Sequence, residues 1–180
     1  MLTIKLSDKE LFDEKKNEFI DIKGQTIVLE HSLVSLSKWE SIWHKPFLTI
    51  DNNMSMEELI SYIKCMTITQ HVDDSTYLAI DNKTVEEIRE YIANPMTATT
   101  FSDQGGSPSR EIITSEVIYG QMVALQIPFE CQKWHLNRLL TLIKVCNLRN
   151  EPPKKMTMSE VMARNAKLNA ERRARLHSKG

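Results

Sequence analysis

The sequence predicts a mainly α protein of the α+β class, with a small N-terminal antiparallel β-sheet or hairpin and a projecting C-terminal helix. Three observations support this prediction. Apolar residues recur at helical spacing through most of the chain, capping boxes precede several of these segments, and β-branched runs occur before Glu30. The 180 residues, 41% hydrophobic and 26% charged, suit one ordinary domain with an appendage.

The N-terminal stretch predicts the β-structure. Residues 2–6 alternate between apolar and polar side chains, as a half-buried strand does. Residues 18–22 and 25–30 are β-branched runs on either side of Gly24, which favours a hairpin between them because glycine readily adopts turn conformations. With residues 2–6 this hairpin would form a three-stranded sheet. The charged stretch 7–17 carries the spacing of a capping box.

The segment 32–44 predicts a helix that carries two tryptophans. Leu36, Trp39 and Trp43 recur at spacings of three and four, and Pro46 ends the pattern because the residue before a proline disfavours the α conformation. Each tryptophan buries a large area when covered. The pair either packs on the predicted hairpin or forms a docking site for a partner.

Two further helices are predicted in the middle of the chain. A capping box at Ser55 opens one that runs to about Thr67, and a capping box at Thr84 opens another that ends at Asn94. Residues 97–110 lack periodicity and contain adjacent glycines, so they are predicted to form a flexible surface loop.

The stretch 112–150 is the most apolar part of the chain. It predicts helices over about 114–126 and 132–148, and the second has the clearest apolar face: Leu136, Leu139, Leu140 and Ile143. Leu142 and its apolar neighbours widen this surface beyond what a surface helix needs. We therefore expect part of it to be covered either inside the domain or by another protein.

The C-terminal part differs in charge from the rest. Residues 151–180 contain eight Lys or Arg against three Glu, a net charge of +5, which leaves −6 for residues 1–150. We therefore predict a helical domain over 1–150 and a basic C-terminal helix or tail over 151–180. A capping box at Thr157 opens this last helix, whose apolar residues are few and small.

Several classes of protein are disfavoured by what the sequence lacks. It contains no run of roughly 18 apolar residues that would cross a bilayer, and its N-terminus lacks the features of a secretory signal. Cys65, Cys131 and Cys146 are widely spaced in apolar surroundings, which favours buried free thiols over a disulfide framework. We expect a protein of the cytosol.

The motifs of catalysis and metal binding are weak. Cys131 and His135 have a spacing that metals use, but two ligands do not make a site, and a buried thiol beside a capping or surface imidazole is the favoured interpretation. No Gly-x-Ser-x-Gly elbow or calcium loop is present. We therefore predict a protein that is not an enzyme and that needs no metal or cofactor.

The basic tail raises the question of nucleic acid. Its positive charges alternate with Ala, Asn and Glu, and no aromatic residue follows Trp134 to stack on bases. Binding of the tail to an acidic protein surface would use the same electrostatic attraction, and we favour it because residues 1–150 are themselves acidic. We therefore expect protein partners, with a DNA-binding regulator as the less favoured class.

Four stretches of the sequence resemble the tail assembly chaperones of long-tailed bacteriophages. They are SLSKWESIWHKPFL over 35–48, TSEVIY over 114–119, IPFECQKWHLNRLLTLI over 127–143, and the Lys- and Arg-rich ending over 154–176. The resemblance implies that the protein binds the tape measure protein, a long and helical chain, before the tail tube closes around it. It also implies recruitment of tail tube subunits, self-association, and a location in the host cell cytoplasm.

The candidate binding residues follow from the apolar surplus and the basic tail. The residues predicted to contact a client or a second copy are Trp134, Arg138, Leu139 and Leu142, with Trp39 and Trp43 as further candidates. The residues predicted to recruit an acidic partner are Arg164, Arg172, Arg173 and Arg175. The main alternative function is a minor virion or connector protein, whose apolar surface and basic tail would be buried permanently against neighbouring chains.

Overall fold

The computed structural model of the protein describes residues 1–13, 17–49, 54–101, 112–150 and 157–176. The strands are β1 (Leu2–Lys5), β2 (Lys9–Asp13), β3 (Glu18–Ile22) and β4 (Thr26–Leu29). The α-helices are α1 (Leu33–Trp43), α2 (Met56–Met66), α3 (Asn82–Ala93), α4 (Ser115–Ala124), α5 (Leu136–Asn150) and α6 (Met158–Leu176). Three short 3-10 helices cover Phe47–Thr49, Asp74–Ala79 and Phe129–Lys133. The predicted mainly α, α+β class is confirmed.

The strand pairing differs from the prediction. β3 pairs with β2, and β4 pairs with β1, both antiparallel. In the sequence, the β2–β3 hairpin is therefore inserted between the two strands of the β1–β4 sheet. The predicted hairpin around Gly24 is therefore wrong, as are the three-stranded sheet and a helix start in 7–17. Gly24 instead allows its backbone to approach that of Leu6 closely, since a Cβ at position 24 would lie 2.4 Å from the carbonyl oxygen of Leu6.

The helix boundaries set by local caps agree well with the sequence. Ser32 caps α1, and His44, with a φ of 52°, ends the helix just before Lys45 and Pro46. Ser55 caps α2 through the predicted capping box with Glu58. Each of these signals acts within a few residues of the helix end, which is why it can be recognised in the sequence.

Two helices begin elsewhere than predicted. α3 begins earlier than the predicted Thr84, because the carboxylate of Asp81 accepts a hydrogen bond from the Thr84 backbone N–H at 2.8 Å and caps the helix. α5 begins later than predicted, because Trp134 is extended and the Leu136 N–H donates to the His31 carbonyl oxygen at 2.7 Å. The start of α5 is therefore decided by a tertiary contact.

Two apolar cores share helix α1. The first core lies between the β1–β4 sheet, α2 and α3, and it includes Trp39. The second lies between α1, α4 and α5, and it includes Leu33, Leu36 and Leu139. Leu36 and Trp39 lie one turn apart on α1 and belong to different cores, so this one helix contributes to both.

A buried carboxylate links α1 to the start of α4. Glu40 Oε2 accepts a hydrogen bond from the Ser115 N–H at 2.7 Å, and Oε1 accepts one from the Phe47 N–H at 2.9 Å. Ser115 is the first residue of α4, where the helix dipole favours a negative charge. Glu40 therefore positions α4 against α1.

The chain divides into two compact units, Met1–Asn147 and Leu148–Gly180. The second contains α6, whose predicted capping box is present: the Glu160 carboxylate accepts from the Thr157 N–H at 2.7 Å. None of the α6 residues is buried. Most of the predicted loop 97–110 lies outside the described residues. None of the described helices is long and apolar enough to span a membrane.

Removing residues 154–180 is expected to leave the stability of the first unit unchanged within about 0.5 kcal/mol, because α6 buries no side chain. Urea unfolding of the truncated and full chains, followed by circular dichroism, measures this difference at a protein concentration of about 1 μM, where weak association between copies contributes little. An insoluble truncated protein, or one with a clearly lower unfolding midpoint, would show that α6 stabilises the domain.

Candidate functional site

Two of the predicted binding residues lie inside the protein. Trp39 and Leu139 are fully buried, Trp39 in the first core and Leu139 in the second. The Trp39 Nε1–H also donates to the Glu58 carbonyl oxygen at 3.0 Å. This corrects their assignment as partner-contacting residues, because neither side chain offers surface to another molecule.

The other apolar candidates are half-buried. Trp134 and Leu142 pack at the edge of the second core. The guanidinium carbon of Arg138 lies 4.2 Å from the centroid of the Trp134 ring, so this exposed arginine stacks on the tryptophan. Trp43 donates its Nε1–H to Ser61 Oγ at 2.9 Å. Trp134 and Arg138 are therefore in contact, and both side chains are at least partly accessible to solvent.

The most exposed apolar surface beside the second core was not among the predicted sites. Val123 on α4 is 62% exposed, and Phe129 on the following 3-10 helix is 52% exposed. Tyr119 lies one helical turn before Val123, and its ring centroid is 6.3 Å from that of Phe129. We call Tyr119, Val123 and Phe129 the uncharged rim.

The sequence contains a signal for the uncharged rim. Residues 117–129 include no Asp, Glu, Lys or Arg, so α4 carries no charged residue after Glu116 in its first turn. A surface helix usually carries charged residues on its outer side. The missing charges, rather than the apolar periodicity, indicate the exposed face.

The four arginines of the predicted recruitment site all lie on α6. Arg164, Arg172, Arg173 and Arg175 are exposed, and Arg173 and Arg175 belong to its last turn. Positive charge near a helix C-terminus is favourable because of the helix dipole. α6 therefore presents a basic surface.

A buried histidine pair, His31 and His135, joins three parts of the first unit. The two rings meet edge to face with centroids 5.0 Å apart. His31 Nδ1 and the Tyr62 hydroxyl of α2 share a hydrogen bond of 2.5 Å, and His135 Nε2 donates to the Tyr91 carbonyl oxygen of α3 at 3.1 Å. The pair therefore holds the start of α5 against α2 and α3.

Both histidines are held in the neutral form. Burial and the neighbouring His135 lower the pKa of His31 to about 3, and burial lowers the pKa of His135. A carbonyl oxygen only accepts, so the neutral His135 carries its proton on Nε2. Its Nδ1 is buried without a hydrogen-bond partner among the described residues. A second proton on His135 would thus place a donor where no acceptor is available.

The position of His135 corrects the interpretation of it as a capping or surface imidazole, because its ring is buried at the histidine pair. Cys131 is also buried. Within the described ranges, no cluster of three or more His, Cys, Asp or Glu side chains is placed to hold a metal ion.

Comparison with known proteins yields no match: no family model, no curated protein and no solved structure is similar to the chain. The fold and the described surfaces define the class as a mainly α, α+β protein with an exposed apolar rim on one unit and a basic, exposed helix in the other.

Proposed function

We propose that this protein is a tail assembly chaperone of a long-tailed bacteriophage, which binds the helical tape measure protein and helps to recruit tail tube subunits in the host cell cytoplasm. The resemblance of the four stretches supports the proposal. The observation that carries it furthest is the uncharged rim of Tyr119, Val123 and Phe129, an aromatic and aliphatic surface exposed beside the second core.

The chemistry of the uncharged rim suits an amphipathic helix. An amphipathic helix binds by laying its apolar face against an apolar surface, with anchors at spacings of three and four residues. Tyr119 and Val123 themselves have this spacing, and Phe129 extends the surface beyond the end of α4. The Trp134 and Arg138 pair adds an amphipathic contact of the kind that is enriched at interfaces.

The basic helix α6 supports the recruitment part of the proposal. Its arginines are suited to a carboxylate-bearing partner because a guanidinium binds carboxylates in a bidentate manner. We assign to Arg172, Arg173 and Arg175, together with Arg164, the recruitment of an acidic surface on the tail tube protein.

Replacing Val123 by aspartate is expected to weaken binding of a tape measure protein at least tenfold, or about 1.4 kcal/mol. The carboxylate would have to lose water at an apolar interface without a partner. The fold should be unaffected, because Val123 is largely exposed. Co-expression and size-exclusion chromatography of the complex measure the binding, and thermal unfolding measures the stability.

Ile42→Asp is the matched control, since Ile42 is a comparably exposed (59%) aliphatic residue on a different helix. It should bind the tape measure protein as the unmodified chain does. If both variants lost the same amount of binding affinity, the uncharged rim would be excluded as the binding surface. Absence of any complex with the unmodified protein would refute the chaperone proposal.

A minor virion or connector protein is the second candidate, favoured by the 19-residue α6, which has no buried residue and which a permanent neighbour would cover. Finished particles distinguish the two, because a structural subunit stays in the virion and a chaperone is absent from it. A DNA-binding regulator would instead lose duplex affinity steeply with added salt.

A further inference from the structure

The β2–β3 hairpin presents an outer face that combines aromatic and acidic side chains. Phe12 and Phe19 are directly opposite in the register, and their ring centroids are 5.0 Å apart. Glu10 and Asp21 form another directly opposed pair. They lie on the same face as the phenylalanines, because side chains two residues apart on a strand point the same way. We call these four residues the hairpin face.

The hairpin face points away from the core. The alternate residues of the hairpin include Leu11 and Ile20, which are half-buried, and Ile22, which is buried. On the hairpin face, by contrast, Phe12 is 49% and Phe19 is 67% exposed. Two large aromatic side chains thus remain in water although the same hairpin has a buried side.

The two acids of the hairpin face lie opposite each other. Like charges directly opposite each other on two strands destabilise the pairing. Neither Glu10 nor Asp21 forms an ion pair with any residue in the described part of the chain. Lys9 and Lys23 line a shallow cavity of about 410 Å³ together with both acids, and none of the ion pairs that the structure describes joins either lysine to them. A cationic and apolar partner would therefore stabilise this face.

The end of α6 has the complementary chemistry. Leu168, Arg172 and Leu176 follow one another at intervals of four residues and so form one ridge, with Arg173 three residues before Leu176. Leu176 is 72% exposed, and both arginines are exposed. A guanidinium stacks on aromatic rings and also binds carboxylates, which are the two groups that the hairpin face offers.

We propose that the α6 ridge of one copy of this protein docks on the hairpin face of a second copy. Leu176 covers the Phe12 and Phe19 rings, while Arg172, one turn away along the ridge, and Arg173 neutralise Glu10 and Asp21. The opposite net charges of residues 1–150 and 151–180 favour the same association at longer range. Reciprocal docking of two copies closes a two-fold dimer. The proposal does not depend on the tape measure protein, but it makes dimerisation compete with recruitment of the tail tube protein for Arg172 and Arg173.

Charge exchange between two variants tests the proposal on the full-length chain. One variant carries E10K and D21K, and the other carries R172E and R173E. Sedimentation equilibrium should show that the unmodified protein dimerises and that each variant alone does so at least tenfold more weakly. An equimolar mixture should dimerise again, because each altered surface then meets the opposite charge on the other protein.

A control pair, E86K and E90K, makes the same charge change at exposed positions of α3 and should leave dimerisation unchanged. Circular dichroism checks that each variant is folded. A dissociation constant above about 100 μM would be too weak for a specific dimer. An unmodified protein that is still monomeric at that concentration would overturn the proposal. So would a mixture that fails to associate, or an equal loss in the control pair.

Docking of α6 on the hairpin face of its own chain is the other outcome that the experiment separates. A chain carrying all four substitutions would then behave as the unmodified monomer, and the mixture would show no association. That result would overturn exchange between copies. Because these measurements contain no tape measure protein, their failure leaves the Val123→Asp experiment as a separate test of the proposed function.

Discussion

Replacing Trp39 by alanine is expected to lower the free energy of unfolding by about 3–5 kcal/mol, the usual range for removing a buried tryptophan. Trp39 is fully buried in the first core, where it meets the rings of Phe47 and Tyr62 edge to face. Its loss would leave a cavity and would also remove the hydrogen-bond donor of the Glu58 carbonyl. Urea unfolding followed by far-ultraviolet circular dichroism measures the change.

Trp43→Ala is the matched control, because the two tryptophans lie one turn apart on α1 and only Trp43 is partly exposed. The control should lose about 1–2 kcal/mol, a common value for a partly buried side chain. If Trp39→Ala unfolded at the same urea concentration as the unmodified protein and lost only client binding, Trp39 would be a surface residue after all.

Acidification from pH 6.5 to pH 5 is expected to lower the free energy of unfolding by about 1.6 kcal/mol through His31 alone, because the slope rises from half of its full value at pH 6.5 to about 1.4 kcal/mol per pH unit near pH 5. The pKa of His31 is 6.5 in the unfolded chain and about 3 in the folded protein. Between these values the unfolded chain binds a proton that the folded protein excludes. The contribution of His31 is therefore complete only above about pH 7.5 and is lost progressively towards pH 3.

His135 adds to this loss, because burial lowers its pKa as well. The interval above pH 5 separates the histidines from carboxylates, which titrate at lower pH. Urea unfolding at several pH values between 7.5 and 5 measures the slope. His31→Asn retains a polar atom near Tyr62 and removes the titrating ring, so this variant should be less stable at pH 7.5 but less sensitive to acid. A variant with the slope of the unmodified protein would exclude His31 as its source.

The histidine pair and Glu40 are buried polar groups that position helices of the first unit. Glu40 fixes the start of α4, and His135 fixes the start of α5. The uncharged rim and the Trp134 and Arg138 pair lie on these two helices and on the segment that connects them. The geometry of the proposed binding surface therefore depends on buried polar contacts that do not touch the partner.

Most of the helical architecture could be predicted from the sequence. Ser55 and Thr157 cap their helices through the capping boxes that the sequence predicts, and Asn94 ends α3 before a proline. These signals are local because a cap bonds to a backbone group three residues away and a proline restricts only its neighbours. The basic character of α6 could likewise be read from charge alone.

Only the tertiary structure decided which strands pair and which apolar side chains remain exposed. From the sequence, Glu18–Ile22 could pair with the segment before it or with the segment after it. In the structure it pairs with the strand before it, and Gly24 lies close to the backbone of Leu6. Leu139 and Val123 both lie in apolar helices, yet one is buried and the other exposed. Periodicity defines a face, but the neighbours that cover it come from distant parts of the chain, and their packing determines where the protein can bind a partner.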